Sequence, residues 1–264
     1  EDRRSHEVRN MALRPIGQLI HADANGLLPR QGQPPSAHWQ PVLDELVAQH
    51  RQWYKDDLVS IAIRGSVPRR TDVAGVSDLD LVVFVTKKHP KPANLRSTVR
   101  PTLQTETSSE VLPKFFTSKQ DHWMRFALAF SGCTRWGRDI VAELPDPQLG
   151  PHCIAHLKAA SRWLDDWQTY WAEDDDTDEH RAICQWLMKR IIRSLFETQM
   201  LRLNAYSRDI YPCMMAAANA FPDHEAAIIA AAELAIDPIA DKSRIEDVVG
   251  RLSSLLLQEQ AAQY

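Results

Sequence analysis

Asp78 and Asp80 stand two residues apart at the head of an apolar, β-branched run, Leu79 to Val85. Strand side chains alternate between faces, so residues two apart point the same way and these two carboxylates aim together. Adjacent like charges repel unless a cation lies between them. A hard divalent ion such as Mg²⁺ is the natural partner, because it takes oxygen ligands and keeps positions for phosphate oxygens. Upstream, a second apolar run, Leu58 to Ile63, leads into Arg64-Gly65-Ser66. Gly65 lets a phosphate approach the main chain, and the hydroxyl and amide of Ser66 can donate to it. Arg69 and Arg70, in the loop between the two runs, offer positive charge to a triphosphate. Arg64, as a strand residue, either points into the same cleft or pairs with a carboxylate. These parts describe a site for a nucleoside triphosphate with its metal. The competing reading is a surface hairpin with two solvated aspartates.

A strand, Gly65-Ser66, a loop, and Ser77-Asp78-Leu79-Asp80-Leu81 on the next strand resemble the signature of the polymerase-β-like nucleotidyltransferase superfamily. The resemblance implies in-line transfer of a nucleoside monophosphate, AMP from ATP or a related group from another NTP, onto a hydroxyl. Pyrophosphate leaves, and a pair of Mg²⁺ ions clamps the attacking and leaving oxygens. It also implies a third acid on a neighbouring strand, which assigns Glu110 of SSEVLPKFF as catalytic residue and metal ligand beside Asp78 and Asp80, with Glu106 as the fallback. In layout the chain is nearest to bacterial aminoglycoside nucleotidyltransferases, which carry a helical domain behind the catalytic one. Lys189 to Arg193, followed by Ala205 to Asp209, is similar to a helix-turn-helix stretch of that group. By that likeness Arg208 reaches the triphosphate, where the group has lysine. The implied acceptor is a small-molecule hydroxyl. The alternatives are a protein hydroxyl, as in AMPylating enzymes of toxin–antitoxin type, and a nucleotide-binding module without turnover.

The fold expected with this resemblance is α+β: a small mixed β-sheet nucleotidyltransferase domain over residues 37–150, then an all-α helical bundle domain over 151–264. Residues 1–36, with the loop-forming run Pro29 to Ser36, read as an arm or linker. The apolar spacing of Val42, Leu46, Val47 and Trp53 predicts a helix from Pro41 to about Tyr54 that covers the sheet. A short helix is expected over 94–105, and a third strand over Ser108 to Phe116. Beyond residue 150, helices are expected from about Glu179 to Ala205, Cys213 to Ala220, Ala226 to Ala235 and Lys242 to Gln260. Trp163, Trp167 and Trp171 fall at i, i+4 and i+8, the spacing of a buried helix face. His152 and His156 share an i, i+4 spacing, and two ordinary helix histidines explain it better than a metal pair.

Over 264 residues the formal net charge is -4. That gives no global attraction to nucleic acid or to an anionic membrane, so neither is expected as a partner. The four cysteines form no zinc spacing and read as reduced thiols of a cytoplasmic protein. No apolar stretch reaches membrane-spanning length, and the charged start EDRRSHEVRN precedes no signal-peptide core. The chain begins with Glu1 rather than Met, which leaves a processed end and an added one both open.

Overall fold

The computed structural model describes residues 13–73, 77–90, 97–101, 103, 105–173 and 175–263. The chain divides into two compact units, Asp23–Gln148 and Glu1–Ala22 with Leu149–Tyr264. Of the arm expected over 1–36, the described residues 13–22 group with the helical unit and 23–36 with the sheet. Backbone hydrogen bonds show why: Leu28 N donates to Pro147 O at 2.8 Å, and Gln31 N to Phe130 O at 2.6 Å.

In the sheet unit, helix α1 (Gln40–Tyr54) leads into strand β1 (Leu58–Arg64). A one-turn helix α2 (Ser66–Arg69) follows, then strands β2 (Leu79–Val85) and β3 (Thr105–Val111), helix α3 (His122–Ser131) and strand β4 (Cys133–Gly137). The order across the sheet is β3-β2-β1-β4. β1 is antiparallel to β2 and to β4, whereas β2 and β3 run parallel, so the sheet is mixed. Both faces of the two central strands are covered, which is why they read as nearly continuous apolar runs. One face packs Ile61, Ile63, Leu79, Leu81 and Val83 against Val42, Leu43 and Leu46 of α1. The other packs Ala62, Val82 and Phe84 against Phe115, Leu128 and Ile140. The charged residues of β1 and β2 are Arg64 and Asp80, both partly exposed.

The third strand occupies Thr105–Val111 rather than Ser108 to Phe116. Pro113 has no N–H to give a ladder and ends the extended segment, and Lys114–Thr117 turn as a single helical turn. Of the helix expected over 94–105, residues 98–101 form bends and a turn and Thr105 opens the strand, while 94–96, 102 and 104 lie outside the described residues.

The helical unit contains α4 (Ala160–Glu173), α5 (Thr177–Met200), α6 (Ile210–Ala220), α7 (Glu225–Ile236) and α8 (Lys242–Ala261). Trp163, Trp167 and Trp171 are all buried on α4, so the spacing marks core. α5 packs against each of the other four. Its start is capped by the Asp176 carboxylate, which accepts from Asp178 N at 2.9 Å. It ends at Met200, short of the expected Ala205, because Ala205–Tyr206 are extended and pair antiparallel with Ile20–His21. Among the described residues no helix is long and apolar enough to cross a membrane. All four cysteines are free thiols.

Candidate active site

Register brings three charged side chains side by side. Arg64 of β1 pairs with Asp80 of β2, and Asp80 pairs with Glu106 of β3. Residues opposite one another in a sheet share a face, so these three line one edge of the face that α3 covers further along. The guanidinium bridges both acids: Nη1 lies 3.5 Å from Asp80 Oδ2 and Nη2 lies 3.8 Å from Glu106 Oε2. Asp80 is largely buried and Glu106 mostly exposed. The Arg64 guanidinium carbon also lies 5.7 Å from the centre of the Trp123 ring, on α3. The sequence left Arg64 either pointing into the cleft or pairing with a carboxylate; here it pairs with Asp80 and Glu106.

Gly65 follows at φ +90° and ψ -150°, a conformation almost confined to glycine. There the chain leaves β1, turns through α2 and presses against the β2 acid. Arg70, in the left-handed region at φ 58°, closes the turn, and its amide donates to Ser66 O and Val67 O. The loop is tied down from outside. Trp39 Nε1 donates to Asp72 Oδ2 at 3.0 Å, and Gln33 N donates to Pro68 O at 2.8 Å. At the far end Ser77 Oγ accepts from Val73 N at 2.8 Å, just before Asp78. Residues 74–76 lie outside the described residues.

Several expected site residues are gathered here, and others are not. Gly65, Ser66, Asp78 and Asp80 belong to the strand ends and the turn between them. Arg69 lies half-buried in α2. Arg70 is exposed, and its guanidinium donates to Pro34 O at 3.1 Å from Nη2. Glu110 is not brought to the aspartates. It pairs with Phe84, four residues along β3 from Glu106 and so about 13 Å away. The acid beside Asp80 is Glu106, the fallback of the sequence reading. Burial raises the Glu110 carboxyl above its ordinary range, with Asp121 adding to the effect.

Arg208 belongs to the helical unit, in a buried polar cluster that the sequence did not reveal. Glu197, on α5, accepts from the His156 amide at 2.9 Å, the Leu157 amide at 2.8 Å and His156 Nδ1 at 2.9 Å. The Arg208 guanidinium lies against the same ring, Nη1 3.1 Å from Nδ1 and Nη2 3.3 Å from Nε2. Arg193 holds the same segment by donating to Arg208 O at 3.1 Å. Burial, then the Arg208 charge, push the His156 imidazole down to about 4 against the opposing pull of Glu197. The ring is neutral. His152 and His156 do not share a helix face: His152 lies in a 3-10 turn that ends at Cys153.

Asp78, Asp80 and Glu106 are all carboxylates, the donor type a hard divalent cation prefers. As they stand, no three His, Cys, Asp or Glu side chains among the described residues are gathered closely enough to hold a metal ion. The guanidinium of Arg64 is the charge between Asp80 and Glu106. The donor chemistry fits Mg²⁺.

No protein-family model and no curated protein matches the sequence. Among solved structures, the chain is similar to spectinomycin adenyltransferase AAD(9) from Enterococcus faecialis, determined with ATP and spectinomycin. The two share 15% identity at a TM-score of 0.52, over 81% of this chain and 99% of that one. The fold of this chain is thus the one seen in a nucleotidyltransferase, a small mixed sheet followed by helices.

Proposed function

We propose that the protein is a Mg²⁺-dependent nucleotidyltransferase that moves AMP from ATP onto a hydroxyl of a small molecule and releases pyrophosphate. The observation that carries this reading is the alignment of Asp80 and Glu106 on adjacent strands, with Gly65 turned sharply against Asp80. Its support is the likeness in fold to an adenyltransferase solved with ATP and spectinomycin.

Asp78, Asp80 and Glu106 would hold the cation, which when bound neutralises charge on the attacking and leaving oxygens. Gly65, lacking a side chain, lets the Asp80 carboxylate lie against the turn, and the Ser66 hydroxyl and amide donate to the phosphate oxygens. Arg69 adds positive charge in the same turn. Glu106, the most exposed of the acids, is placed to accept the proton of the attacking hydroxyl as its oxygen bonds to the α-phosphorus. The pyrophosphate then leaves with the bonding pair of the broken P–O bond. Such catalysis is mostly positioning and electrostatic stabilisation, which suits a site built on rigid strand ends.

The test is incubation with α-labelled ATP, Mg²⁺ and a panel of aminocyclitol and aminoglycoside acceptors, followed by separation of small molecules from polypeptide. Label on a small acceptor, absent with Asp80→Asn, is the expected result. Label on a polypeptide would replace the small acceptor by a protein hydroxyl. No transfer to either, with ATP bound, would leave a nucleotide-binding module.

A further inference from the structure

Arg64 is the residue of this site that the proposed chemistry does not use. It lies between the two acids, yet at 3.5 and 3.8 Å its contacts are longer than charge-assisted hydrogen bonds, about 2.7–2.9 Å. Its Nε is buried and has no hydrogen-bond partner among the described residues. The Trp123 ring beside it offers only the soft attraction of a π face to a cation. A guanidinium so placed is held by the charge of the acids rather than by fitted hydrogen bonds, and a stronger cation can displace it. The displaced group does not need to travel far to find an anion, because Gly65 and Ser66 follow it directly in the chain.

We propose that Arg64 is a positioning residue that stands in for the divalent cation. Without nucleotide its guanidinium neutralises Asp80 and Glu106. When Mg²⁺ arrives with a triphosphate, Arg64 yields the carboxylates to the ion and turns its charge to the phosphates. The inference rests on the nucleotidyltransferase reading and adds a coupling to it. Metal alone must displace a cation and gains nothing for Arg64 in return, whereas metal with a triphosphate supplies Arg64 with a new anionic partner. Metal and nucleotide therefore each strengthen the binding of the other by the same factor.

Electron paramagnetic resonance of Mn²⁺ tests this, with and without a non-hydrolysable ATP analogue, on wild type, Arg64→Gln, Arg64→Met, Arg64→Lys and Asp80→Asn. Wild type should bind Mn²⁺ weakly alone and roughly tenfold or more tightly with the analogue. Arg64→Gln and Arg64→Met should bind Mn²⁺ alone roughly tenfold more tightly than wild type, with most of the coupling gone. Arg64→Lys keeps the charge and should keep the coupling. Circular dichroism establishes that each variant is folded, and if Gln fails there, Met decides. Unchanged Mn²⁺ affinity in the folded neutral variants overturns the proposal while leaving the nucleotidyltransferase reading intact, provided wild type still binds Mn²⁺ with the analogue and Asp80→Asn does not. Loss of coupling in Arg64→Lys as well as in the neutral variants assigns Arg64 a merely structural role and also overturns it. If Asp80→Asn binds the pair as wild type does, the reading of the site itself falls.

Discussion

Gly65 and Asp80 are in such close contact that a Cβ built on residue 65 would lie 2.8 Å from Asp80 Oδ2. That separation is shorter than real Cβ contacts allow, and the carboxylate is the group that would have to shift. Gly65→Ala should therefore act on the site twice, by displacing Asp80 and by straining a backbone at φ +90°. The strain is worth about 1–3 kcal/mol in stability. Thermal unfolding should show that modest loss, whereas adenylyl transfer should fall far more than the loss of folded protein explains.

Glu106 and Glu110 separate two placements of the third acid. If Glu106 takes the proton of the acceptor hydroxyl, Glu106→Gln should lower kcat by roughly 100-fold or more. Glu110→Gln should leave kcat near wild type, since residue 110 pairs with Phe84 away from Asp80. Steady-state rates of the two variants with saturating ATP and Mg²⁺ check this. The reverse ranking would return the role to Glu110.

The helical unit should owe part of its pH dependence to His156. Its imidazole titrates at about 4 in the folded chain, below the ordinary value near 6.5, because burial and Arg208 oppose its charge. Between those values the unfolded chain binds more protons, so stability rises with pH there and is lost as pH falls toward 4. Integrated over that span the effect is roughly 3 kcal/mol. Urea unfolding at pH 7 and at pH 4.5 should show a smaller difference for His156→Asn than for wild type. An equal difference would contradict a buried neutral ring.

Much of this was legible in the chain, and the parts that were not share a physical reason. The acid at Asp80, the glycine turn and the tryptophan stripe each leave a local pattern. Strand β3 leaves none. TETSSEV lies at the edge of the sheet with its residues half-exposed or exposed, so no apolar period fixes where it starts. Its register, which chooses Glu106 over Glu110, is set only by parallel pairing with β2. The pairing of Ile20–His21 with Ala205–Tyr206 involves two residues on each side, too few to show periodicity. Glu197 is hidden differently, as one acid in a long helix whose burial comes from partners at 156 and 157. Arg70 was visible as a charge in the right loop, but the Pro34 carbonyl that engages it is far away in sequence.

The most direct measurement of the central claim is calorimetric titration of Mg·ATP into wild type and Asp80→Asn, with Glu110→Gln beside them. A metal-nucleotide site at the ends of β1 and β2 predicts binding in wild type and Glu110→Gln, and its loss in folded Asp80→Asn. Equal binding in wild type and Asp80→Asn, or none in wild type at any Mg²⁺ concentration, would contradict it.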